Sequence, residues 1–207
     1  MFLEPHYRQQ RSGWIEVVCG CMFSGKTEEL LRRLKRAEIA QQNVVVFKPS
    51  FDKRYSMSEV KSHDDSSRRS IMVESSEELV NECNKYEVFG VDEAQFFDDG
   101  IVDVVQELAL RGKRVIIAGL DMDYRGEPFG PMPHLLAIAE YVTKLHAICQ
   151  RCGSLATHSY RIDPSDSKIL LGAKGEYEPR CRHCFDMGNI LDFNPENAKH
   201  SPPDGLR

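Results

Sequence analysis

The sequence has no long apolar run. Its uncharged hydrophobic stretches are of the size of Val115 to Ala118. Spanning a bilayer with a helix takes about 20 consecutive apolar residues, so no transmembrane helix is expected. Residues 1–13 carry Glu4, His6, Arg8, Gln9, Gln10 and Arg11 and no apolar core, which speaks against a secretory signal. Positive charge is not in excess: 27 Lys and Arg stand against 32 Asp and Glu, a formal net charge of −5, with a pI near 5.8. That disfavours a basic, nucleic-acid-coating surface and leaves room only for a local basic groove. Internal repeats and low-complexity tracts are missing as well. The cysteine count is odd, seven, and without a signal peptide it points to a reducing, cytoplasmic compartment.

What remains is an ordinary globular mixture, 41% apolar and 29% charged in 207 residues. At ~150 residues per domain this is one domain, or one plus a small appendage. A chain of this length can bury ~70% of its unfolded surface, so the core needs no covalent help.

Trp14 to Cys19 (WIEVVC) has the apolar, β-branched pattern of a buried strand. After a glycine-flanked loop, Thr27 to Gln42 places Leu30, Leu31, Leu34, Ala37 and Ala40 on one helical face. Glu28/Arg32 and Glu29/Arg33 form i,i+4 pairs expected on the opposite face. Asn43 to Lys48 is the next strand, which makes a right-handed βαβ unit. Residues 52–74 are polar and aperiodic and read as a long loop. Ser75-x-x-Glu78 is a capping-box pattern that opens a short helix to Cys83. Glu87 to Asp92 is a strand, Ile101 to Arg111 a helix capped by Gly112, and Arg114 to Gly119 a strand. Pro133 to Glu140 is a short helix and Val142 to Ile148 a strand. The alternation predicts an α/β fold, a mostly parallel sheet flanked by helices. Composition shifts near residue 148. The expected organisation is a flexible N-terminus (1–12), an α/β domain (13–147), a small cysteine-containing domain (148–192) and a disordered tail (193–207).

Gly20-Cys21-Met22-Phe23-Ser24-Gly25-Lys26-Thr27 fits the phosphate-loop pattern between a predicted strand and a predicted helix. Gly20 and Gly25 permit turns a Cβ would obstruct and let backbone N–H groups face phosphate. Lys26 can reach the β- and γ-phosphates, and the Thr27 hydroxyl can hold Mg²⁺. A strand ending in Asp92-Glu93-Ala94-Gln95 supplies a metal-holding carboxylate and a candidate base. Asp52-x-Arg54 follows the second strand, where Arg54 could approach the phosphates or belong to a plain solvated loop. Cys149-x-x-Cys152 and Cys181-x-x-Cys184, with 28 residues between them, offer four thiolates for a structural Zn²⁺. A redox pair or inert buried cysteines are the alternatives, and His183 could stand in for one thiol. Cys19 and Cys83 read as core residues, Cys21 as a loop position.

GCMFSGKT, DKRY, DEAQFF, LDMDYRGEPFG and CQRC…CRHC in this order resemble the cytosolic-type thymidine kinases, bacterial-like members, distinct from the herpesviral type. The match runs from about Gly13 to Asp192. The resemblance implies transfer of the γ-phosphate of ATP, with Mg²⁺, to the 5′-hydroxyl of thymidine and of deoxyuridine. It implies Glu93 as base, Thr27 and Asp92 at Mg²⁺, and Asp52, Arg54 and Gln95 on the ATP side. Tyr124 would pack on thymine, with Met22, Leu120, Phe129 and Ser159 lining the pocket. A lasso between the cysteine pairs would cover the nucleoside, its backbone at Lys168, Ile169, Leu170, Leu171 and Gly172 reading the base and Tyr177 closing it. Homotetramers and inhibition by thymidine triphosphate are further implications; nucleic acid and membrane partners are not expected. Cys21 stands where many members have Pro, and Thr27 where some have Ser. Another deoxynucleoside kinase, a nucleic-acid-dependent ATPase and a non-enzymatic zinc-ribbon module are the competing readings.

Overall fold

A computed structural model describes residues 13–50, 59–61, 67–162 and 176–193. Its centre is a six-stranded, wholly parallel sheet built from β1 (Trp14–Cys19), β2 (Val44–Pro49), β5 (Ile71–Val73), β6 (Val88–Val91), β7 (Arg114–Gly119) and β8 (Tyr141–Lys144). The order is β5-β2-β6-β7-β1-β8. β1 runs between β7 and β8, with Val17 opposite Ile117 on one side and Val142 on the other. Every residue of β1, β6 and β7 is buried, whereas β8, at the edge, alternates half-buried and exposed. That is the difference expected between strands covered on both faces and a strand with one free side.

The two faces have separate cores. Along β7, Ile116 and Ala118 face one way and Val115 and Ile117 the other. The first pair packs with Val46 and Val88 under α1 (Lys26–Ile39), through Leu30, Leu34 and Ala37. Gly90 allows this close approach, because a Cβ there would lie 2.8 Å from a Leu34 methyl. The second pair joins Ile15, Val17, Phe47 and Phe89 under α2 (Glu78–Asn81), α3 (Ile101–Leu110) and α4 (Met132–Ile138). Cys19 and Cys83 lie in this core, as read from the sequence. Gly112, at φ 80°, follows the end of α3 as expected.

Three details differ from the sequence reading. Arg33 is fully buried, not on the solvent face. Its guanidinium donates to Glu16 Oε2 at 2.8 Å, to Glu29 Oε1 at 2.8 Å and to Thr143 Oγ1 at 2.9 Å. Glu16, at the centre of β1, also accepts from Trp14 Nε1 and Arg114 Nε, each at 2.7 Å. A buried carboxylate demands such partners, and the helical period that places Arg33 beside Leu30 and Leu34 carries no sign of it. Within 52–74, β3 (Glu59–Lys61) pairs antiparallel with β4 (Ser67–Arg69), and β5 joins the sheet against β2. Strands of three residues are too short for alternation to reveal. The stretch Val142 to Ile148 divides: β8 stays in the sheet, and β9 (Ala147–Ile148) pairs with β10 (Leu155–Ala156).

β9 opens a second lobe, with β11 (His158–Arg161) antiparallel to β12 (Tyr177–Arg180) and α5 (Arg182–Phe193) behind them. Glu178 accepts from Arg151 Nε at 2.9 Å and Arg180 Nε at 2.6 Å. At Gly188 of α5 a Cβ would meet Arg180 and Tyr160, so the missing side chain lets the helix seat on β11 and β12.

Candidate active site and metal centre

Because all six strands of the sheet run the same way, their C-terminal ends share one edge, the edge where ligands bind in such folds. β1 delivers the phosphate loop there, β2 delivers Lys48, β6 delivers Asp92 and Glu93, and β7 delivers Leu120. Gly20 is at φ 145° and Gly25, just before α1, at φ 86°. Phe23, with a side chain, is also left-handed at φ 64°. The loop is therefore wound into a conformation that turns peptide groups inward. Ser24 Oγ is buried with no hydrogen-bond partner among the described residues, an orphan that a phosphate oxygen would satisfy. Lys26 Nζ lies across the loop on Cys21 O at 2.8 Å. Burial pulls the Lys26 pKa down, and Glu93 and Asp92 oppose that pull. An ammonium held among carboxylates and loop amides is suited to a polyanion.

Thr27 Oγ1 lies 3.4 Å from Asp92 Oδ1, and Asp92 Oδ2 pairs with Lys48 Nζ at 3.0 Å. A hydroxyl and a buried carboxylate are hard oxygen donors that suit Mg²⁺. Lys48 was not singled out from the sequence; its place at a strand's C-terminal end was the available signal. Glu93, at φ 56°, turns out of the strand, and its Oε2 accepts from Gln95 Nε2 at 2.7 Å. Burial raises the Glu93 pKa above the ordinary carboxylate range; Asp92 adds to the rise while Lys26, Gln95 and Lys48 oppose it. Gln95 is buried and ties Glu93 to the residue after β7, since Leu120 N–H donates to its Oε1 at 2.9 Å. Gly119 and Gly130 make room: a Cβ at Gly119 would be 2.6 Å from Met132 Sδ, and one at Gly130, 2.3 Å from Gln95 O.

The loop after Leu120 is closed on itself. Asp123 Oδ1 accepts from Arg125 N at 2.8 Å and Glu127 N at 3.1 Å, and Phe129 N donates to Asp121 O. Asp121 is anchored to Lys144 at 2.6 Å. Phe129 meets Phe96 edge to face at 5.4 Å between centroids. The Tyr124 ring carries the guanidinium carbons of Arg125 at 5.3 Å and Arg161 at 5.0 Å from its centroid. Ser159 is buried in β11 and Tyr177 in β12. Met22 and Ser159 meet directly, Met22 N donating to Ser159 Oγ at 3.0 Å. Asp52, Arg54 and the stretch Lys168, Ile169, Leu170, Leu171, Gly172 lie outside the described residues.

The four cysteines of the two C-x-x-C pairs converge. The sulfurs of Cys149, Cys152, Cys181 and Cys184 lie within 4.8 Å of one another, Cys152 and Cys181 at 3.6 Å. Ser154 hydrogen bonds bring the Cys152 thiol down to about 6, while burial and the neighbouring thiols push Cys184 up to about 12. Four sulfurs this close are the donor set that a tetrahedral Zn²⁺ would unite as thiolates, with no position left for substrate. All seven cysteines are free thiols. Cys21 is no mere loop position: it is buried against Ala147, Cys149 and Ala156, and burial raises its pKa.

A phosphate loop after β1, an acidic pair at the tip of β6 and a four-cysteine lobe define a P-loop phosphotransferase with an accessory lobe whose cysteines could hold a metal. A family profile described as Thymidine kinase matches residues 13–185. The chain is 58% identical over 173 residues to a thymidine kinase of Rhodothermus sp., covering 84% of this chain and 81% of that one. It is 55% identical over 186 residues to a thymidine kinase of Bacteroides thetaiotaomicron, covering 89% and 94%. A Porphyromonas gingivalis thymidine kinase is 54% identical over 180 residues, covering 87% and 88%. The chain belongs to the thymidine kinase family.

Proposed function

We propose that this ATP-dependent phosphotransferase moves the γ-phosphoryl group of ATP onto the 5′-hydroxyl of thymidine, and of deoxyuridine, as a step of nucleotide salvage in the cytoplasm. The observation that carries the reading is Glu93: a carboxylate with a raised pKa, held by Gln95 beside Lys26, on the edge where the phosphate loop opens. Glu93 takes the 5′-OH proton as the oxygen attacks in line. Lys26, the loop amides from Gly20 to Thr27 and Arg54 spread the charge of the phosphoryl oxygens, with Asp52 beside Arg54. Thr27 and Asp92 would hold Mg²⁺, which when bound neutralises phosphate charge.

Leu120, Tyr124, Phe129 and Met22 line the base side, and the backbone of Lys168 to Gly172 reads the base edge under a lasso closed by Tyr177. Cys149, Cys152, Cys181 and Cys184 would hold Zn²⁺ and so fix the lasso ends. The functional division falls near residue 148, the α/β half binding ATP and the lobe covering the nucleoside. Homotetramer assembly and inhibition by thymidine triphosphate complete the reading; light scattering and an inhibition curve test them.

The deciding experiment offers thymidine, deoxyuridine, deoxycytidine and deoxyguanosine separately with γ-labelled ATP and Mg²⁺. Label is expected on thymidine and deoxyuridine. Glu93→Gln is expected to lose about 10²–10⁴-fold in kcat while still binding ATP. Wild-type turnover in that variant would remove Glu93 from the role.

A further inference from the structure

The outer side of the phosphate loop is held by the segment that enters the cysteine lobe. Leu145 N donates to Cys19 O at 2.8 Å, and a Cβ on Gly20 would sit 2.3 Å from Leu145 O. The Cys21 thiol donates to Ala156 O at 3.4 Å, and the side chain is buried among Ala147, Cys149 and Ala156. Met22 N–H donates to Ser159 Oγ at 3.0 Å. Cys21 also presents the carbonyl on which Lys26 Nζ rests at 2.8 Å. The residue gripped by the lobe is thus the residue that parks the lysine.

We propose that the cysteine lobe positions the phosphate loop, with Ser159 and Cys21 as positioning residues, so that Ser159 acts on ATP binding through the backbone of Met22. The resemblance to the family places Ser159 at the nucleoside pocket; its hydroxyl also accepts from the loop backbone, a role on the ATP side. A phosphate loop works by the direction of its peptide N–H groups, and Gly20 and Gly25 leave its ends free to turn. Anchoring Cys21 and Met22 removes that freedom before ATP arrives. The anchor is tied to the metal site through the backbone. Ser159 in β11 pairs with Pro179 of β12, Thr157 N donates to Arg180 O, and Arg180 precedes Cys181. Cys149, on the other side of the cluster, packs against Cys21 itself.

The proposal rests on the phosphate loop being the ATP site. The experiment measures binding of ATP alone and of thymidine alone by calorimetry, on metal-loaded full-length protein, with zinc content and melting temperature recorded for each variant. Ser159→Ala is expected to weaken ATP about five-fold, the worth of one hydrogen bond, whatever it does to thymidine. Ser159→Thr, which keeps an accepting hydroxyl, is expected to restore ATP affinity. Ser159→Ala with thymidine weakened and ATP unchanged would overturn the proposal, as would no change in either. Should Ser159→Ala not fold, Cys21→Ala carries the same test, and unchanged ATP affinity there overturns the proposal. Wild-type protein stripped of metal, still folded by circular dichroism, is expected to lose ATP affinity at least as far as Ser159→Ala; full retention overturns the link to the lobe. Wild-type protein that binds no ATP at all would sink the phosphate-loop reading itself, a separate failure.

Discussion

In the sheet half, Phe47, Phe89, Leu30, Leu34, Ile116 and Ile117 are shut off from water on two faces of one sheet. In the cysteine lobe the equivalent places are taken by Ala147, Cys149, Ala156 and a few aromatic rings, with Glu178 and Arg180 buried among them. Each fully buried aliphatic or aromatic side chain contributes about 1.5–3 kcal/mol, so the sheet half holds itself together by area. The lobe's ladders are two-stranded, and such ladders are marginal in water by themselves. The lesson is that the sheet half holds by buried apolar area, whereas the lobe, with little apolar core and four convergent thiols, stands to gain from a cation and from its neighbour.

The largest test of that contrast breaks the lobe. Cys152→Ser removes one ligand from a site of a kind that contributes on the order of 10 kcal/mol in small zinc domains. Zinc content should fall, the thymidine KM should rise, and amide exchange should accelerate over 147–161 and 177–193. Strands 14–19 and 114–119 should stay protected. Uniform acceleration would mean that the halves unfold as one unit. Next in size is the sheet half's own polar centre. Glu16→Gln leaves Arg33 and Arg114 facing each other without their shared carboxylate, and should cost about 3–5 kcal/mol in denaturant unfolding at unchanged zinc content. A cost under about 1 kcal/mol would show that water reaches the site.

The smallest effect sharpens the seam between the halves. His158 stacks on Phe185 at 4.4 Å, and Gly126 of the loop after β7 sits against both rings. Burial lowers the His158 pKa, and Arg182 adds to this. The unfolded chain then takes up the proton first, at about pH 6.5. Stability from this source is complete above that pH and declines as pH falls toward the lower folded value. His158→Phe should flatten the melting temperature between about pH 5 and 7. An unchanged slope would assign the acid sensitivity to other groups.

The parallel sheet and the phosphate loop were legible because continuous Val and Ile runs and fixed glycine spacings are local signals. The four cysteines were legible because their spacing reflects a shared chemistry. Arg33 was not, since its helical period is that of a surface pair and only the fold brings Glu16 beneath it. Lys48 against Asp92, Gln95 between Glu93 and Leu120, and Ser159 on Met22 N join residues from separate strands. No pattern within one segment encodes such meetings.

Glu93 adopts a left-handed backbone, a conformation that costs a side-chain-bearing residue about 1 kcal/mol or more. Glycine would rest there without strain. A library of variants sorted only by heat resistance would therefore drift from glutamate toward glycine at position 93, giving sturdier proteins that, on the role proposed for Glu93, no longer turn over. The same library sorted by growth on salvaged nucleoside would hold the glutamate and tolerate its tension.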